Sequence, residues 1–369
     1  MYTGQYPARH GAGTFIGSSD VDDGGTTGAR GRQRFAVLDT AFPTLAEIFS
    51  ANGHATGAVL SNPFLDESFG VARGFQEYDY APHRRAVATV DLALKWIESQ
   101  GESPFFLMVH LMDVHLPYNP PPEYQGMFAD AASTRLTYPI AKVHEVRREI
   151  ETYGAADRAF VEAAYDEELA YVDSELGRLF DAFEESGLWD DAVVVLTSDH
   201  GEEFFEHGGF EHGHAFYDEV VRVPLVVWNG ETGRVAEPVS LADLAPTLLA
   251  SAGVRTDVEF GGASLVPYLS AQPAGLERGL VAEGVLGSAD LRAVVLWPNK
   301  VIFEDGEATM IFDLEVDPHE RRNLIGSTPA MAAVATAAAG LLESPTGALH
   351  EAVLDEAVLE QLRDIGYIQ

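Results

Sequence analysis

The sequence contains no cysteine among its 369 residues. This absence excludes disulfide bonds, thiolate nucleophiles and cysteine-based metal sites together. Any metal ion that the chain binds must therefore be held by Asp, Glu, His or Asn. Hydrophobic residues make up 46% of the chain, as in ordinary folded proteins, so the composition also argues against disorder.

Lysine is scarce, occurring only at Lys95, Lys142 and Lys300, and the formal net charge is −35. Because no basic patch is available to neutralise phosphates, nucleic acid is not an expected partner. Such an acidic surface repels itself in dilute buffer, whereas at molar salt the Debye length falls to about 3 Å and the repulsion is screened. The composition therefore predicts a halophilic, cytoplasmic protein. A mildly acidic protein from an ordinary cell is the alternative.

Long apolar runs are missing as well. No segment approaches the roughly 20 apolar residues that a membrane span requires. Residues 1–7 lack the charged region and following apolar region of a signal peptide. We therefore expect no membrane partner and no secretion signal here, and the oligomeric state stays open.

Apolar segments alternate with amphipathic ones along the first two thirds of the chain. Helical spacing occurs in residues 43–52, 87–98 and 158–185, short apolar runs typical of buried strands occur in residues 55–60, 105–111, 192–197 and 224–228, and the opening segment to about Asp39 is rich in loop-forming residues. This alternation predicts an α/β fold, with helices on both faces of a mostly parallel sheet.

The pattern changes after about residue 272. Residues 291–304 and 308–314 resemble antiparallel strands joined by the turn Asp305-Gly306, and residues 330–342 and 353–362 have helical spacing. We therefore expect two domains: a larger α/β domain over residues 1–272 and a smaller C-terminal α+β subdomain over residues 273–369.

Asp199 and His200 directly follow the predicted strand 192–197. Ligands of open α/β sheets bind beyond the carboxyl ends of the strands, so these side chains lie where chemistry is expected. A carboxylate beside an imidazole can offer one oxygen and one nitrogen to a divalent ion. Gly201 then allows the backbone to turn away without crowding the ion.

Further histidines occur in two places: shortly after His200, and around the end of the predicted strand 105–111. His207, His212 and His214 follow on glycine-rich sequence, so four of the twelve histidines fall within residues 200–214. Surface histidines scattered by chance are the alternative. His115 can donate a proton or a hydrogen bond to an anionic ester, whereas His110 is expected to be a core histidine.

Several segments together resemble sulfatases of the alkaline phosphatase superfamily. In chain order they are residues 2–11, 198–202, 217–225, 243–249 and 312–324, followed by a similar tail at 362–369. The resemblance implies an alkaline-phosphatase-like α/β/α sandwich and a hydrolase of small-molecule or carbohydrate sulfate esters, acting by metal-assisted nucleophilic attack. A phosphate or phosphonate ester hydrolase, or a phosphoglycerol transferase, of the same superfamily is the alternative. A catalytically inactive fragment or a salt-dependent binding protein is a third.

The resemblance also implies roles for individual residues. Asp199 and His200 correspond to metal ligands, and His115 to the histidine that contacts the ester and serves the leaving group. Either His212 or His214 holds the substrate oxyanion, and spacing does not decide between them. The implied cofactor is a divalent metal ion, Ca²⁺ first, with Mn²⁺, Mg²⁺ or Zn²⁺ as alternatives.

One part of the family pattern is absent. In the family, a Cys, Ser or Thr nucleophile and two further acidic ligands precede the segment that begins here at Tyr2, so the resemblance places them before Met1. We expect a reading frame that was started at an internal Met, with a true truncation as the alternative. With only Asp199 and His200, a hard cation would take most of its coordination from water, so the chain is expected to hold half of the site.

Overall fold

The computed structural model describes residues 1–11, 15–19, 32–130, 132–140, 146, 149–228, 232–269, 278–284, 290–342 and 350–364. These residues form two compact units, each of them discontinuous in sequence. Unit 1 comprises Met1–Leu45, Val193–Gly201 and His212–Ala352, and unit 2 comprises Ala46–Ala192, Glu202–Glu211 and Val353–Gln369. The expected boundary at residue 272 and the end of the similar tail, residues 365–369, lie outside the described residues. The division at residue 272 stays a prediction.

The helices and strands that the sequence predicts from residue 43 onward are present within a few residues of their predicted positions, except that residues 291–304 form two strands. Other elements, such as the strand at 77–80 and the helix at 244–251, were not predicted. The helices are α1 (Pro7–His10), α2 (Leu45–Ala51), α3 (Ala86–Gln100), α4 (Ala155–Ser186), α5 (Asp218–Val221), α6 (Leu244–Ser251), α7 (Val266–Leu269), α8 (Pro329–Leu342) and α9 (Glu356–Asp364). The strands are β1 (Phe15–Ser19), β2 (Arg32–Val37), β3 (Ala55–Leu60), β4 (Glu77–Tyr80), β5 (Phe105–Val109), β6 (Val194–Thr197), β7 (Glu203–Phe204), β8 (Phe210–Glu211), β9 (Leu225–Trp228), β10 (Leu280–Glu283), β11 (Leu291–Leu296), β12 (Asn299–Glu304), β13 (Glu307–Asp313) and β14 (His350–Glu351).

The opening segment is not the loop that its composition predicts. Strand β1 pairs with β2 in antiparallel register, and β2 also pairs with β14, where Val37 lies opposite His350. Phe35 and Ala36 of β2 are fully buried. The prediction was wrong because backbone pairing with a strand more than 300 residues away stabilises β2, and composition does not reveal such a partner.

In unit 2 the predicted parallel sheet is confirmed for three strands, in the order β4-β3-β5. Trp96 of α3 packs edge-on against Phe105, with ring centroids 5.5 Å apart, and Phe49 of α2 stacks on Phe106 at 4.9 Å. Because successive residues of a strand point to opposite faces, α3 and α2 cover the two faces of this sheet.

Helix α4 is the longest element of unit 2, at 32 residues, and it ends at Gly187 in the left-handed region, φ 74°. Its apolar stripe packs Phe160 and Ala164 into a cluster with Tyr118. Glu167 lies on the same buried side, where one carboxylate oxygen accepts hydrogen bonds from the N–H groups of Phe128 and Ala129, at 2.9 and 3.0 Å. The helix therefore anchors a loop through its backbone.

In unit 1, the predicted core strands β6 and β9 pair in antiparallel register, which a mostly parallel arrangement of strands allows. The predicted C-terminal antiparallel strands are confirmed as the sheet β10-β11-β12-β13, although residues 291–304 form a hairpin rather than one strand because Trp297 and Pro298 make a turn. Val301 packs on one face with Ala338 of α8, while Ile302 packs on the other with Phe216.

Among the described residues, no helix has both the length and the apolar character needed to cross a bilayer.

Candidate active site

In unit 1 the chain turns sharply after β6, and this turn carries Asp199 and His200. The Thr197 hydroxyl donates to the carbonyl oxygen of Pro224 at 2.8 Å, which fixes the end of the strand. The Ser198 hydroxyl donates to the carbonyl oxygen of His200 at 2.6 Å, and the Asp199 carboxylate accepts the N–H of His200 at 3.2 Å. Asp199 and His200 thus lie beyond the carboxyl end of a strand, where the sequence places them.

Gly201 allows a close approach between this turn and the segment at α5. Its N–H donates to the carbonyl oxygen of Val220 at 2.7 Å. A Cβ at this position would lie 2.1 Å from the carbonyl oxygen of Glu219, a distance that real Cβ atoms do not reach. Glycine is therefore required next to His200 by backbone packing.

The hydrogen bonds of His200 fix its tautomer. Its Nδ1 lies 2.9 Å from the carbonyl oxygen of Gly201. Because a carbonyl oxygen only accepts, Nδ1 carries the proton and the lone pair is left on Nε2. That Nε2 lies 3.8 Å from Oδ1 of Asp199.

This pair suits a divalent ion. Two ligand atoms that are each about 2.0–2.5 Å from one ion lie about 3–4 Å from each other, and the observed separation falls in that range. The Asp199 side chain is 55% exposed, so water can supply further ligands. The donor set, one carboxylate oxygen and one imidazole nitrogen, fits the implied metal.

The two histidines proposed for the oxyanion differ in their surroundings. The buried ring of His212 stacks on that of His200, with centroids 3.8 Å apart and planes at 29°. His214 is exposed, and its Nδ1 lies 3.5 Å from the carbonyl oxygen of His212. Gly213, at φ 80°, turns the chain between them. The structure therefore brings His212 directly against the metal-ligand candidate His200.

His115 belongs to unit 2 and lies on the loop after β5. Its N–H donates to the carbonyl oxygen of Met112 at 2.9 Å, and its Nδ1 lies 2.7 Å from the carbonyl oxygen of Leu116. As at His200, this contact places the proton on Nδ1. A carboxylate oxygen of the buried Glu211 lies within 4.8 Å of a ring nitrogen of His115.

Glu211 was not recognised from the sequence as a candidate. The available signal was its position among the histidines of residues 206–214, where an acid and imidazoles alternate with glycine. Its left-handed backbone, at φ 73°, is unusual for a residue other than glycine.

The two remaining histidines considered in the sequence lie outside this group. His207 is a loop residue whose N–H donates to Glu203 at 3.0 Å. His110 continues the pairing of β5, with its N–H on the carbonyl oxygen of Val59 at 2.9 Å.

A second group that the sequence did not reveal lies in unit 2. Arg85 Nε is 3.0 Å from Asp113 Oδ1, and its Nη1 is 3.6 Å from Glu168 Oε1. Burial raises the pKa of the Asp113 carboxyl to about 6 and that of the Glu168 carboxyl to about 7, although Arg85 opposes both shifts. The only available signal was Glu168 itself, an acid on the apolar stripe of α4.

Helix-covered parallel strands are typical of α/β enzymes, in which ligands bind beyond the carboxyl ends of strands, and the acid–imidazole pair lies at such an end. Residues 1–254 match the Sulfatase family model. Since this match covers more than half of the chain, the protein belongs to the sulfatase family.

Curated relatives agree with this family. Arylsulfatase K of Xenopus laevis is 25% identical over 361 residues, which cover 80% of this chain and 67% of that protein. An arylsulfatase of Clostridium perfringens is 28% identical over 245 residues, which cover 61% of this chain and 50% of that protein. The chain thus spans half to two thirds of these relatives, and both are sulfate ester hydrolases by name.

Solved structures confirm the alkaline-phosphatase-like fold. A protein solved in complex with its substrate D-glucosamine-2-N,6-O-disulfate has a TM-score of 0.66 at 19% identity, over 99% of this chain and 90% of that one. The phosphonate monoester hydrolase of Agrobacterium radiobacter has a TM-score of 0.68 at 20% identity, over 93% of this chain and 84% of that one. At these identities the likeness concerns the fold alone.

Proposed function

We propose that the protein hydrolyses sulfate esters by metal-assisted nucleophilic attack. Membership of the sulfatase family supports the reaction class. The observation that carries the proposal is the geometry of Asp199 and His200, whose ligand atoms lie 3.8 Å apart beyond the end of β6 with the lone pair of His200 on Nε2.

Asp199 and His200 would hold the divalent ion, for which Ca²⁺ is our first choice and Mn²⁺, Mg²⁺ and Zn²⁺ are the alternatives. When bound, such an ion supplies Lewis acidity and lowers the pKa of a coordinated nucleophile. The hydrogen bond from His200 Nδ1 to Gly201 fixes the ring so that Nε2 faces away from the backbone.

His115 would serve the leaving group. Since its Nδ1 is engaged by the Leu116 carbonyl oxygen at 2.7 Å, Nε2 is the atom that delivers a proton to the departing alkoxide. The nearby Glu211 carboxylate offers a negative charge to the imidazolium form. For the oxyanion, we propose His212 in preference to His214, because only His212 stacks on His200.

The substrate would be a small-molecule or carbohydrate sulfate ester. A structurally similar protein was solved with a sulfated sugar as its substrate. A phosphorus ester is the second candidate, supported by the likeness to a phosphonate monoester hydrolase, but that likeness concerns the fold alone.

The proposed location is a cytoplasm that contains molar salt. The net charge of −35 and the scarcity of lysine support this location.

The first test compares metal binding with catalysis in variants of the protein. Asp199→Ala should lose the metal ion and several orders of magnitude of activity on an aryl sulfate. His115→Ala should keep its metal and lose about 10²–10³-fold in rate, because it removes one proton donor. Metal content is measured by mass spectrometry after desalting, and rates are measured with matched aryl sulfate, phosphate and phosphonate esters.

Three further single substitutions distinguish the roles of the histidines. His212→Ala should lose about 10²–10³-fold in rate with metal retained, whereas His214→Ala and the loop variant His207→Ala should each stay within a few-fold of the parent protein. Metal loss in His115→Ala, or retention of both metal and rate in Asp199→Ala, would contradict the roles. A larger cost in His214→Ala than in His212→Ala would reverse the oxyanion assignment, and faster phosphonate than sulfate hydrolysis would favour the second substrate class.

A further inference from the structure

The segment that carries His115 is attached on its N-terminal side to a single arginine. Arg85 immediately precedes helix α3, and its Nε lies 3.0 Å from Oδ1 of Asp113. Asp113 is two residues before His115 and its side chain is 1% exposed. The guanidinium therefore fixes the chain just upstream of the histidine.

The same arginine reaches the C-terminal side of the segment through an acid on α4. Arg85 Nη1 lies 3.6 Å from Oε1 of Glu168, and that oxygen accepts the N–H of Asn119 at 2.7 Å. Asn119 follows His115 by four residues, and the Glu168 side chain is also 1% exposed. His115 is thus bracketed by two contacts that converge on one guanidinium.

Arg85 is itself held in place. Its guanidinium carbon lies 4.9 Å from the ring centroid of Tyr171, a cation–π contact. The Tyr171 hydroxyl accepts the N–H of Val87 at 3.0 Å, in the first turn of α3. The anchor thus rests on two helices, α3 and α4, rather than on another loop.

Stability alone does not account for this arrangement. One guanidinium faces two buried carboxylates, and apolar residues of similar volume often stabilise a core as well as a buried ion pair does. Burial of the Asp113 and Glu168 carboxylates is unfavourable enough to raise the pKa of both groups. What the charges add is directional attachment of a short backbone segment to two helices.

We propose that Arg85 is a positioning residue for His115: by binding Asp113 and Glu168 it holds residues 113–119 so that the imidazole is aligned for proton transfer. The proposal rests on the proposed function of His115. A misplacement of about 1 Å can cost about 10²-fold in rate, so loss of the anchor should lower kcat without removing a group that touches the substrate.

The chain offers a matched control. Arg178 of α4 also bridges two carboxylates in unit 2, those of Asp91 and Glu175, but neither contact involves residues 113–119. Arg85→Met and Arg178→Met therefore remove the same chemical group and break two ion pairs each. The carboxylates that Arg178 contacts are more exposed than those of Arg85, so a difference in rate reports on the attachment of the His115 segment when it disappears in the His115→Ala background.

The kinetic experiment is a double-mutant cycle in the complete protein with an aryl sulfate. Arg85→Met should lower kcat about 10–100-fold with KM within about three-fold, Arg85→Lys should restore part of the rate, and Arg178→Met should leave kcat unchanged. In the His115→Ala background, Arg85→Met should cost less than about three-fold. Equal losses in the two Arg→Met variants, or an undiminished loss in the His115→Ala background, would overturn the proposal. If Arg85→Met does not fold, Arg85→Lys takes its place in the comparison with Arg178→Met.

A second measurement needs no catalysis. The ring resonance of His115, assigned by its disappearance in His115→Ala, should shift in ¹H–¹⁵N spectra of Arg85→Lys or Arg85→Met and stay in place in Arg178→Met. An unchanged resonance in the Arg85 variants would exclude positioning. If the parent protein hydrolyses neither sulfate nor phosphorus esters, the proposed function fails, and the resonance still decides whether Arg85 positions the ring.

Discussion

Lys300 is one of three lysines in the chain, and it is fully buried. Its Nζ lies 2.9 Å from Asp218 Oδ1 and 2.8 Å from Glu320 Oε1. The other Glu320 oxygen accepts the N–H of Asp218 at the start of α5. Two of the segments on which the family resemblance rests, residues 217–225 and 312–324, therefore meet at one ammonium group on β12.

Lys300→Met should destabilise the protein by about 3–5 kcal/mol, because it leaves two carboxylates without their counter-charge in a buried place. Arg292→Met breaks the partly exposed pair with Asp290 and should cost less than about 1 kcal/mol. Denaturant unfolding in molar salt measures both. Similar costs for the two substitutions would contradict this account of Lys300, and Lys300→Met combined with Glu320→Gln should recover part of the loss.

At the residue scale, a site can be predicted from the sequence only where the reactive side chains are close together in the chain and next to a recognisable strand or helix. Asp199 and His200 were predicted as a metal pair because they follow an apolar strand directly, and the structure places them there. That role itself remains a proposal. Arg85 and Glu168 could not be found in this way, since they are 83 residues apart and meet only when α3 packs against α4.

At the scale of elements, the glycines Gly177 and Gly201 have opposite effects on the stability of the structure around them. Gly177 lies inside helix α4, and a Cβ there would meet no atom within 4 Å. Gly201 lies in the turn after β6, where a Cβ would meet the Glu219 carbonyl oxygen at 2.1 Å. The first glycine is an entropic cost within a helix, whereas the second is a steric requirement beside the metal pair.

Gly177→Ala should therefore stabilise the protein by about 0.5–1 kcal/mol, because alanine is the better helix former and has room here. Gly201→Ala should destabilise it and lower its metal content, because the turn must move away from α5 and take His200 with it. Unfolding curves and metal analysis of the two variants provide the comparison. A Gly201→Ala protein with normal stability and metal content would show that the turn relaxes without disturbing His200.

Helices and buried strands were predictable because their periodicity is local. The 32-residue helix α4 and strand β3 were found at nearly their full lengths. Strands β1 and β2 were missed, because β2 depends on pairing with β14 near the other end of the chain. The antiparallel pairing of β6 with β9 could not be predicted from either segment, since strand direction is a property of the fold and not of the segment.

At the scale of the whole molecule, charge should control stability. A net charge of −35 on 369 residues disfavours any compact state unless counter-ions screen it. The melting temperature should rise steeply as KCl increases from about 0.1 M to about 3 M, over which the Debye length shortens from about 10 Å to about 3 Å or less. Circular dichroism across a salt series measures the change. A melting temperature that does not depend on salt would exclude the halophilic interpretation.

Helix α4 holds its neighbouring loops through their backbone N–H groups, so the attachment does not depend on which side chains the loops carry. Glu167 and Glu168 hold the backbone N–H groups of Phe128, Ala129 and Asn119, and every amino acid except proline offers that group. Side chains at those loop positions can therefore be exchanged while the attachment persists, whereas the two helix carboxylates cannot. Substitutions at these three loop positions should therefore leave the loops attached to α4, whereas substitution of Glu167 or Glu168 should release them.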